Sequence, residues 1–396
     1  MTTAGTVRSH READVAGTRV LVRVDFNVPL DAGRIRDETR ITSALPTLRS
    51  LLERGASLVL ISHLGRPNGK PSSELSLAPV AARLGELLSV DVALSPEVVG
   101  DSSTSMADAL EPGGILMLEN VRFEPGEEKN DPELARRLAK LGDVYVNDAF
   151  GAVHRAHAST VGVVGQLPAY AGDLLLSEIE ALGRLVDDPA YPFVAIVGGA
   201  KVSDKLAVLQ RLVERVDALL IGGAMANTFL LADGKKVGAS LVEPDALDAA
   251  KSIVATADRR GSRVLIPTDV VVARSMNATD ATVVAVDNIA VDDAALDIGP
   301  ATAQRFASEI AMAKTVFWNG PMGVFERPPF AAGTLAIARA VADCNAFSVV
   351  GGGDSVAAVT EAGVADRISH ISTGGGASLE FVEGRTLPGV EALRRS

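Results

Sequence analysis

The chain has 396 residues, 47 % hydrophobic and only 4 % aromatic, with 50 acidic against 38 basic residues and a formal net charge of −12. That length and apolar content suit two α/β domains with aliphatic cores. The acidic balance argues against non-specific binding to nucleic acid or acidic membranes, so an anionic substrate needs a local basic cluster.

Cys344 is the single cysteine, which rules out an intramolecular disulfide and a multi-cysteine metal site. The opening residues lack the apolar core of a signal peptide, and no apolar run approaches the ~18 residues of a membrane span. The expectation is a soluble, cytoplasmic protein.

In the first half, Arg19 to Val24 reads as a β-branched strand that breaks into Asp25-Phe26-Asn27-Val28-Pro29. A helix follows from about Thr39 to Arg54, closed by Gly55. Ser57 to Ile61 is an apolar run ending in Ser62-His63-Leu64-Gly65-Arg66-Pro67. After a helical segment from Leu77 to Leu88, Ile115 to Leu118 ends in Glu119-Asn120-Val121-Arg122-Phe123. A helix from Asp131 to Leu141 leads to Val144-Tyr145-Val146 and then to His154-Arg155-Ala156-His157. Strands and helices alternating at this spacing predict βαβ units and a parallel sheet.

The polar residues fall at one place in that rhythm. Asp25, Asn27, His63, Arg66, Arg122 and Arg155 each follow a strand's carboxyl end, and Arg40 opens the next helix. In open parallel sheets that edge binds ligands. Singly, each arginine reads as a surface ion-pair residue. Four at equivalent positions read as an anion site, whose bidentate donors suit carboxylate and phosphate.

Asp173 to Leu182 is helix-periodic and runs on to Asp187-Asp188-Pro189, which predicts one long helix joining two lobes. The rhythm then restarts. Phe193 to Val197 reads as a buried strand, Gly198 and Gly199 end it, and a helix follows with apolar Leu206, Leu209, Leu212, Val213 and Val216. Lys201 and Lys205 stand four apart at that helix opening. Each opposes the helix dipole and the other, at a cost of roughly 0.3–1 kcal/mol per effect. A bound phosphate reverses the sign, while two solvated lysines remain the plain alternative.

Further strands end in Gly222-Gly223-Ala224, Pro267-Thr268-Asp269, Trp318-Asn319-Gly320-Pro321-Met322-Gly323, Gly351-Gly352-Gly353-Asp354-Ser355 and Thr373-Gly374-Gly375-Gly376. Such glycines let a ligand approach backbone N–H groups at helix starts, and four loops of this kind in one lobe read as a nucleotide-phosphate cradle. Asp354, after three glycines, is the natural Mg²⁺ ligand, a role compatible with an N-cap aspartate. There is no G-x-x-x-x-G-K-[ST], no complete G-x-G-x-x-G, no G-x-S-x-G and no H-E-x-x-H. His154 and His157, with no acid between or just after them, make a poor zinc pair.

A basic polyanion site, a glycine-rich nucleotide site and a helix between them fit phosphoryl transfer, whose catalysis is positioning and charge neutralisation. Lys201 would meet the transferring group, with Arg40 opposing it. A carboxylate acceptor is ionised near pH 7 and needs no general base, so His63 serves as a hydrogen-bond donor.

The stretches VRVDFNVP, SHLGRP, LENVRF, VNDAFGAVHRAH, GGAKVSDK, WNGPMGVFE, VVGGGDS and STGGGAS stand in an order that closely resembles the phosphoglycerate kinase family from about Arg19 onward. The resemblance implies reversible transfer of the 1-phosphoryl group of 1,3-bisphosphoglycerate to Mg-ADP, with hinge closure. It implies that Asp25, Asn27, Arg40, His63, Arg66, Arg122 and Arg155 hold 3-phosphoglycerate. The nucleotide side takes Lys201, Lys205, Ala295, Asn319, Glu326, Gly352, Gly353, Asp354 and Ser355, with Glu326 on the ribose and Mg²⁺ on Asp354. Arg40, Lys201, Gly375 and Gly376 are then the catalytic set. Ser355 stands where the family usually has threonine, and Ala295 where glycine is frequent along the adenine slot.

The fold expected is α/β, two similar-sized lobes, each a parallel doubly wound sheet, joined by a long helix. The lobes are residues 1–172 for 3-phosphoglycerate and 189–383 for the Mg-nucleotide, with 173–188 as hinge and the tail 384–396 packing back on the first. A monomer is implied. An acyl-phosphate kinase for another carboxylate shares every residue-level feature, and a non-catalytic two-lobed nucleotide- or anion-binding protein shares all but the need for Lys201.

Overall fold

The computed structural model describes residues 7–394; residues 1–6 of the expected first lobe and 395–396 of its returning tail lie outside the described residues. The chain divides into two compact units, one running to Gly183 and resuming from Thr386, the other spanning Arg184–Arg385.

The first unit holds β1 (Arg19–Arg23), β2 (Leu30–Asp31), β3 (Arg34–Ile35), β4 (Ser57–Ile61), β5 (Val92–Leu94), β6 (Ile115–Met117), β7 (Val144–Asn147) and β8 (Ala169–Ala171). Strands β2 and β3 form a small antiparallel hairpin, and the other six pair in parallel in the order β5-β6-β4-β1-β7-β8. From β1 the chain crosses outward to β4, β5 and β6, then returns to lay β7 and β8 on the other side. The switch in winding direction therefore falls at β1, where ligand sites form in such sheets. All five residues of β4 and four of β1 are buried, as a sheet covered on both faces requires. Helices α1 (Thr39–Glu53), α2 (Ala78–Leu88), α3 (Asp101–Asp108) and α4 (Pro132–Ala139) complete this βα pattern, and α1 buries Ile41, Ala44, Leu45, Leu48 and Leu51 along one stripe.

The connecting helix α5 (Asp173–Val186) contains the unit boundary. The second unit carries β9 (Phe193–Val197), β10 (Ala218–Ile221), β11 (Arg263–Leu265), β12 (Asp269–Ala273), β13 (Thr282–Ala285), β14 (Ala294–Ile298), β15 (Thr315–Asn319), β16 (Phe347–Gly351) and β17 (His370–Ile371). Its main sheet is parallel, ordered β11-β10-β9-β15-β16-β17, and packs on a mostly aliphatic core that includes Ile196, Leu220 and Val350, with Phe306 and Trp318 as aromatic members. Its helices are α6 (Leu206–Val213), α7 (Met225–Ala232), α8 (Leu247–Arg260), α9 (Pro300–Met312), α10 (Ala332–Asp343), α11 (Gly353–Glu361) and α12 (Gly376–Val382).

A second, antiparallel sheet, β13-β12-β14, goes beyond the expected architecture. Strand β13 has no buried residue, although Val283, Val284 and Ala285 give it an apolar sequence. The tail closes as α13 (Pro388–Arg394) within the first unit, where the Gly389 N–H donates to the Val153 carbonyl at 2.9 Å.

Candidate active site

At the carboxyl ends of β1 and β4 the polar residues form one bonded cluster. Arg40, in the first turn of α1, donates through Nη1 to Asp25 Oδ2 at 3.0 Å. Asp25 Oδ1 accepts the Asn27 N–H at 3.2 Å and lies 3.7 Å from His63 Nδ1. Asn27 Oδ1 in turn accepts the Gly65 N–H at 2.8 Å, and Arg122 Nη1 donates to the Gly65 carbonyl at 2.8 Å. The turn that presents Arg66 is thus clasped by Asn27 and Arg122. Arg66 and Arg155 themselves are exposed at the ends of the β4 and β7 connections.

Burial drives the His63 ring well below its ordinary value; Asp25 opposes this, while Arg23, Arg122 and Arg40 reinforce it. The ring is neutral. Burial also works to raise the Asp25 carboxyl, but with the His63 ring neutral it is the Arg40 and Arg23 guanidinium groups and the Asn27 N–H that pull the other way and keep Asp25 ionised. The cluster is therefore an ionised carboxylate, a neutral imidazole and guanidinium groups with unused donors, a surface suited to an anion that also carries a hydroxyl.

Arg23 belongs to this cluster and is missing from the sequence-derived set. It is 1 % exposed, and its Nε donates to Ser159 Oγ at 2.8 Å, its Nη1 to the Val24 carbonyl and its Nη2 to His63 Nδ1 at 3.2 Å. Ser159 Oγ passes a hydrogen bond to Glu127 Oε1 at 2.6 Å, and the Ser159 N–H reaches Glu127 Oε2 at 3.0 Å. Glu127 is fully buried, and burial lifts its carboxyl above the ordinary value against the pull of Arg23 and Ser159. The available signal was an arginine inside an otherwise apolar buried strand, a placement that needs a partner.

In the second unit the glycines serve close backbone approach. The Gly198 N–H donates to the Asn319 carbonyl at 3.0 Å, the Gly199 N–H to the Pro321 carbonyl at 3.0 Å and the Gly223 N–H to the Met322 carbonyl at 2.9 Å. A Cβ on Gly198 would run into the Pro321 carbonyl oxygen. Asn319 and Ser355 tie these loops together: Asn319 Nδ2 donates to the Gly351 carbonyl at 2.8 Å, and buried Ser355 Oγ accepts the Gly320 N–H at 2.6 Å. Ser355 and Asn319 are thus buried framework groups of the loop set.

The lysine pair separates. A 3₁₀ turn at Ser203–Lys205 precedes α6, and Lys205 Nζ donates to the carbonyls of Gly198 at 2.8 Å and Asn319 at 3.0 Å. Burial lowers Lys205 to about 8, with Asp354 and Asp204 pulling the other way. Its charge rests on carbonyl dipoles, which removes the expected conflict with the helix. Lys201 is exposed in the preceding loop.

Asp354 is exposed in the first turn of α11, with Gly352 before it at φ +89. Gly353, Gly375 and Gly376 have open space where a Cβ would stand. Glu326 is exposed in the loop between β15 and α10. Ala295 lies in β14 of the antiparallel sheet, 8 % exposed, its N–H donating to Ser240 Oγ at 2.9 Å.

Residues 10–385 match the model of the phosphoglycerate kinase family. The chain is 56 % identical over 391 residues to a phosphoglycerate kinase of Chloroflexus aurantiacus, covering 97 % of this chain and 98 % of that one. It is 57 % identical over 385 residues to that of Moorella thermoacetica, with the same coverage. Among solved structures, phosphoglycerate kinase from Coxiella burnetii superposes with a TM-score of 0.89 at 43 % identity, covering 98 % of this chain and 99 % of that one. The enzyme from Pyrococcus horikoshii OT3 gives 0.86 at 34 %, covering 98 % of each. The basic cluster at the β1 switch point, the glycine loops of the second unit and these matches agree: the chain belongs to the phosphoglycerate kinase family.

Proposed function

We propose that the Asp25–Arg40–His63–Arg122 cluster, with Asn27, Arg66 and Arg155, holds 3-phosphoglycerate, and that the loops after β9, β15 and β16 hold the nucleotide. The reaction is that of the family, phosphoryl transfer between 1,3-bisphosphoglycerate and ADP in either direction. The observation that carries the residue assignment is the neutral His63 beside the Asp25–Arg40 pair, which can receive an anion and its hydroxyl together.

In this reading the acceptor carboxylate attacks already ionised, so no side chain removes a proton. Exposed Lys201 and the guanidinium of Arg40 neutralise charge on the phosphoryl group as it moves. Gly375 and Gly376 leave room for that group at the start of α12. Lys205, Asn319 and Ser355 hold the loops that present backbone N–H groups, and Glu326 takes the ribose hydroxyls.

Asp354 is the residue that would hold Mg²⁺. It fits, because Mg²⁺ accepts one carboxylate with phosphate oxygens, and among the described residues no group of three or more His, Cys, Asp or Glu forms a protein-only cage. When bound, the ion supplies charge neutralisation at the nucleotide phosphates. A cytoplasmic monomer completes the proposal; among the described residues no helix is long and apolar enough to cross a membrane.

The test is acyl phosphate formation from 3-phosphoglycerate and Mg-ATP, trapped with hydroxylamine, with acetate as control. Hydroxamate from 3-phosphoglycerate alone supports the assignment. None from protein that still binds nucleotide refutes it.

A further inference from the structure

Asp297 is buried, and among the described residues no cation pairs with it. It lies in β14, 4 % exposed, and backbone N–H groups occupy both oxygens: Ile298 donates to Oδ1 at 2.9 Å and Gly333 to Oδ2 at 2.7 Å. Burial lifts the carboxyl to about 7, with only those two N–H groups pulling against it. An isolated buried carboxylate is costly to retain, so its place in the fold calls for a reason.

Its surroundings supply one. Gly333 is the second residue of α10, and Asp297 caps that helix from another element. Gly323, in the loop between β15 and α10, also packs against the Asp297 side chain. A Cβ on either glycine would collide with it. Strand β14 grips the same loop a second time, since the Val324 N–H donates to the Leu296 carbonyl at 2.9 Å. From the helix side, buried Thr334 Oγ1 accepts the Met322 N–H at 3.0 Å. The clamped loop continues directly into Glu326.

We infer that Asp297 is a positioning residue for nucleotide binding, fixing the loop from Gly320 to Ala331 so that Glu326 is held where the ribose hydroxyls arrive. The inference rests on the proposed ribose role of Glu326. A helix cap with no further role would affect stability alone. A clamp acting through Glu326 affects the two substrates unequally.

Asp297→Asn preserves shape but turns one donor toward a backbone N–H. The expected result is a KM for ADP raised about tenfold, as for a lost hydrogen bond to a charged group, with the KM for 1,3-bisphosphoglycerate unchanged. Combined with Glu326→Gln, the double variant should show no more than the larger single effect, because the two act as one unit. An unchanged KM for ADP in Asp297→Asn, with Glu326→Gln impaired, overturns the inference alone. Independent effects that multiply also overturn it. A silent Glu326→Gln removes the ribose reading, and this inference with it. If Asp297→Asn does not fold, Asp297→Ser keeps an acceptor near Gly333 and is judged by the same KM comparison.

Discussion

Arg23 Nη2 and His63 Nδ1 lie 3.2 Å apart, both side chains buried. A guanidinium only donates, so Nδ1 accepts and the neutral ring carries its proton on Nε2. A residue on β1 thereby sets which atom of His63 would donate in the proposed 3-phosphoglycerate site. Removing Arg23 also strips the buried cation that Glu127 reaches through Ser159. Arg23→Met should raise the KM for 3-phosphoglycerate about tenfold and lower stability by about 3 kcal/mol, the scale for breaking a buried charge network. Steady-state kinetics and urea denaturation check both, and wild-type values would refute this account of Arg23.

Lys201 and Lys205 differ in environment, so their replacements should fail differently. Lys201→Ala should lower kcat by about 10² or more, the scale for losing one preorganised charge, while calorimetry still detects ADP binding and the melting temperature holds. Lys205→Ala removes the ammonium that joins the Gly198 and Asn319 carbonyls and should lower the melting temperature as well. Equal thermal behaviour of the two variants would contradict the geometry.

Two glycines separate packing from ligand space. Gly198→Ala forces a Cβ onto the Pro321 carbonyl and should cost about 3 kcal/mol, the upper range for overpacking. Gly353→Ala meets nothing within 4 Å and should leave the melting temperature unchanged. If a phosphate occupies that space, ADP affinity in Gly353→Ala nevertheless falls. Scanning calorimetry and ADP titration distinguish the cases.

His157 gives stability a defined pH dependence. Burial, with Arg23, Arg122, Arg155 and His154 nearby, lowers its ring from 6.5 to about 4. Between those values the unfolded chain binds more protons, so this contribution grows as pH rises from about 4 and is complete above 6.5. Asp148 and Asp297, each raised from 3.8 to about 7 chiefly by burial, act in the opposite sense, and their contribution fades over that rise. Buried His63 and His10, lowered in the same direction, keep a rising component of their own, so His157→Asn should make the change of urea midpoint from pH 4 to 6.5 less positive than in wild type. A profile unchanged from wild type would refute the assignment.

Much of the architecture was legible because parallel strands buried on both faces read as apolar runs, and their carboxyl ends announce themselves with glycine or charge. The run from Phe193 to Val197 coincides with β9, and the periodicity from Asp173 reaches the observed helix α5. Strand β13 escaped although Val283, Val284 and Ala285 are apolar, because it pairs antiparallel with β12 and stands outside the βα alternation by which the other strands are read. Asp297 has no local mark in the sequence, since nothing near it announces that Gly323 and Gly333 pack against it.

Sequence alone determined the βα order, the strand-end placement of the arginines and glycines, and the family. Tertiary structure decided which groups share a charge or a proton. Lys205 and Asn319 are 114 residues apart, yet one ammonium joins their loops. Arg23 and His63 are separated by 40 residues and meet only because β1 and β4 lie side by side in register. Periodicity reports burial along one element, whereas hydrogen-bond partners depend on which strands the fold makes neighbours.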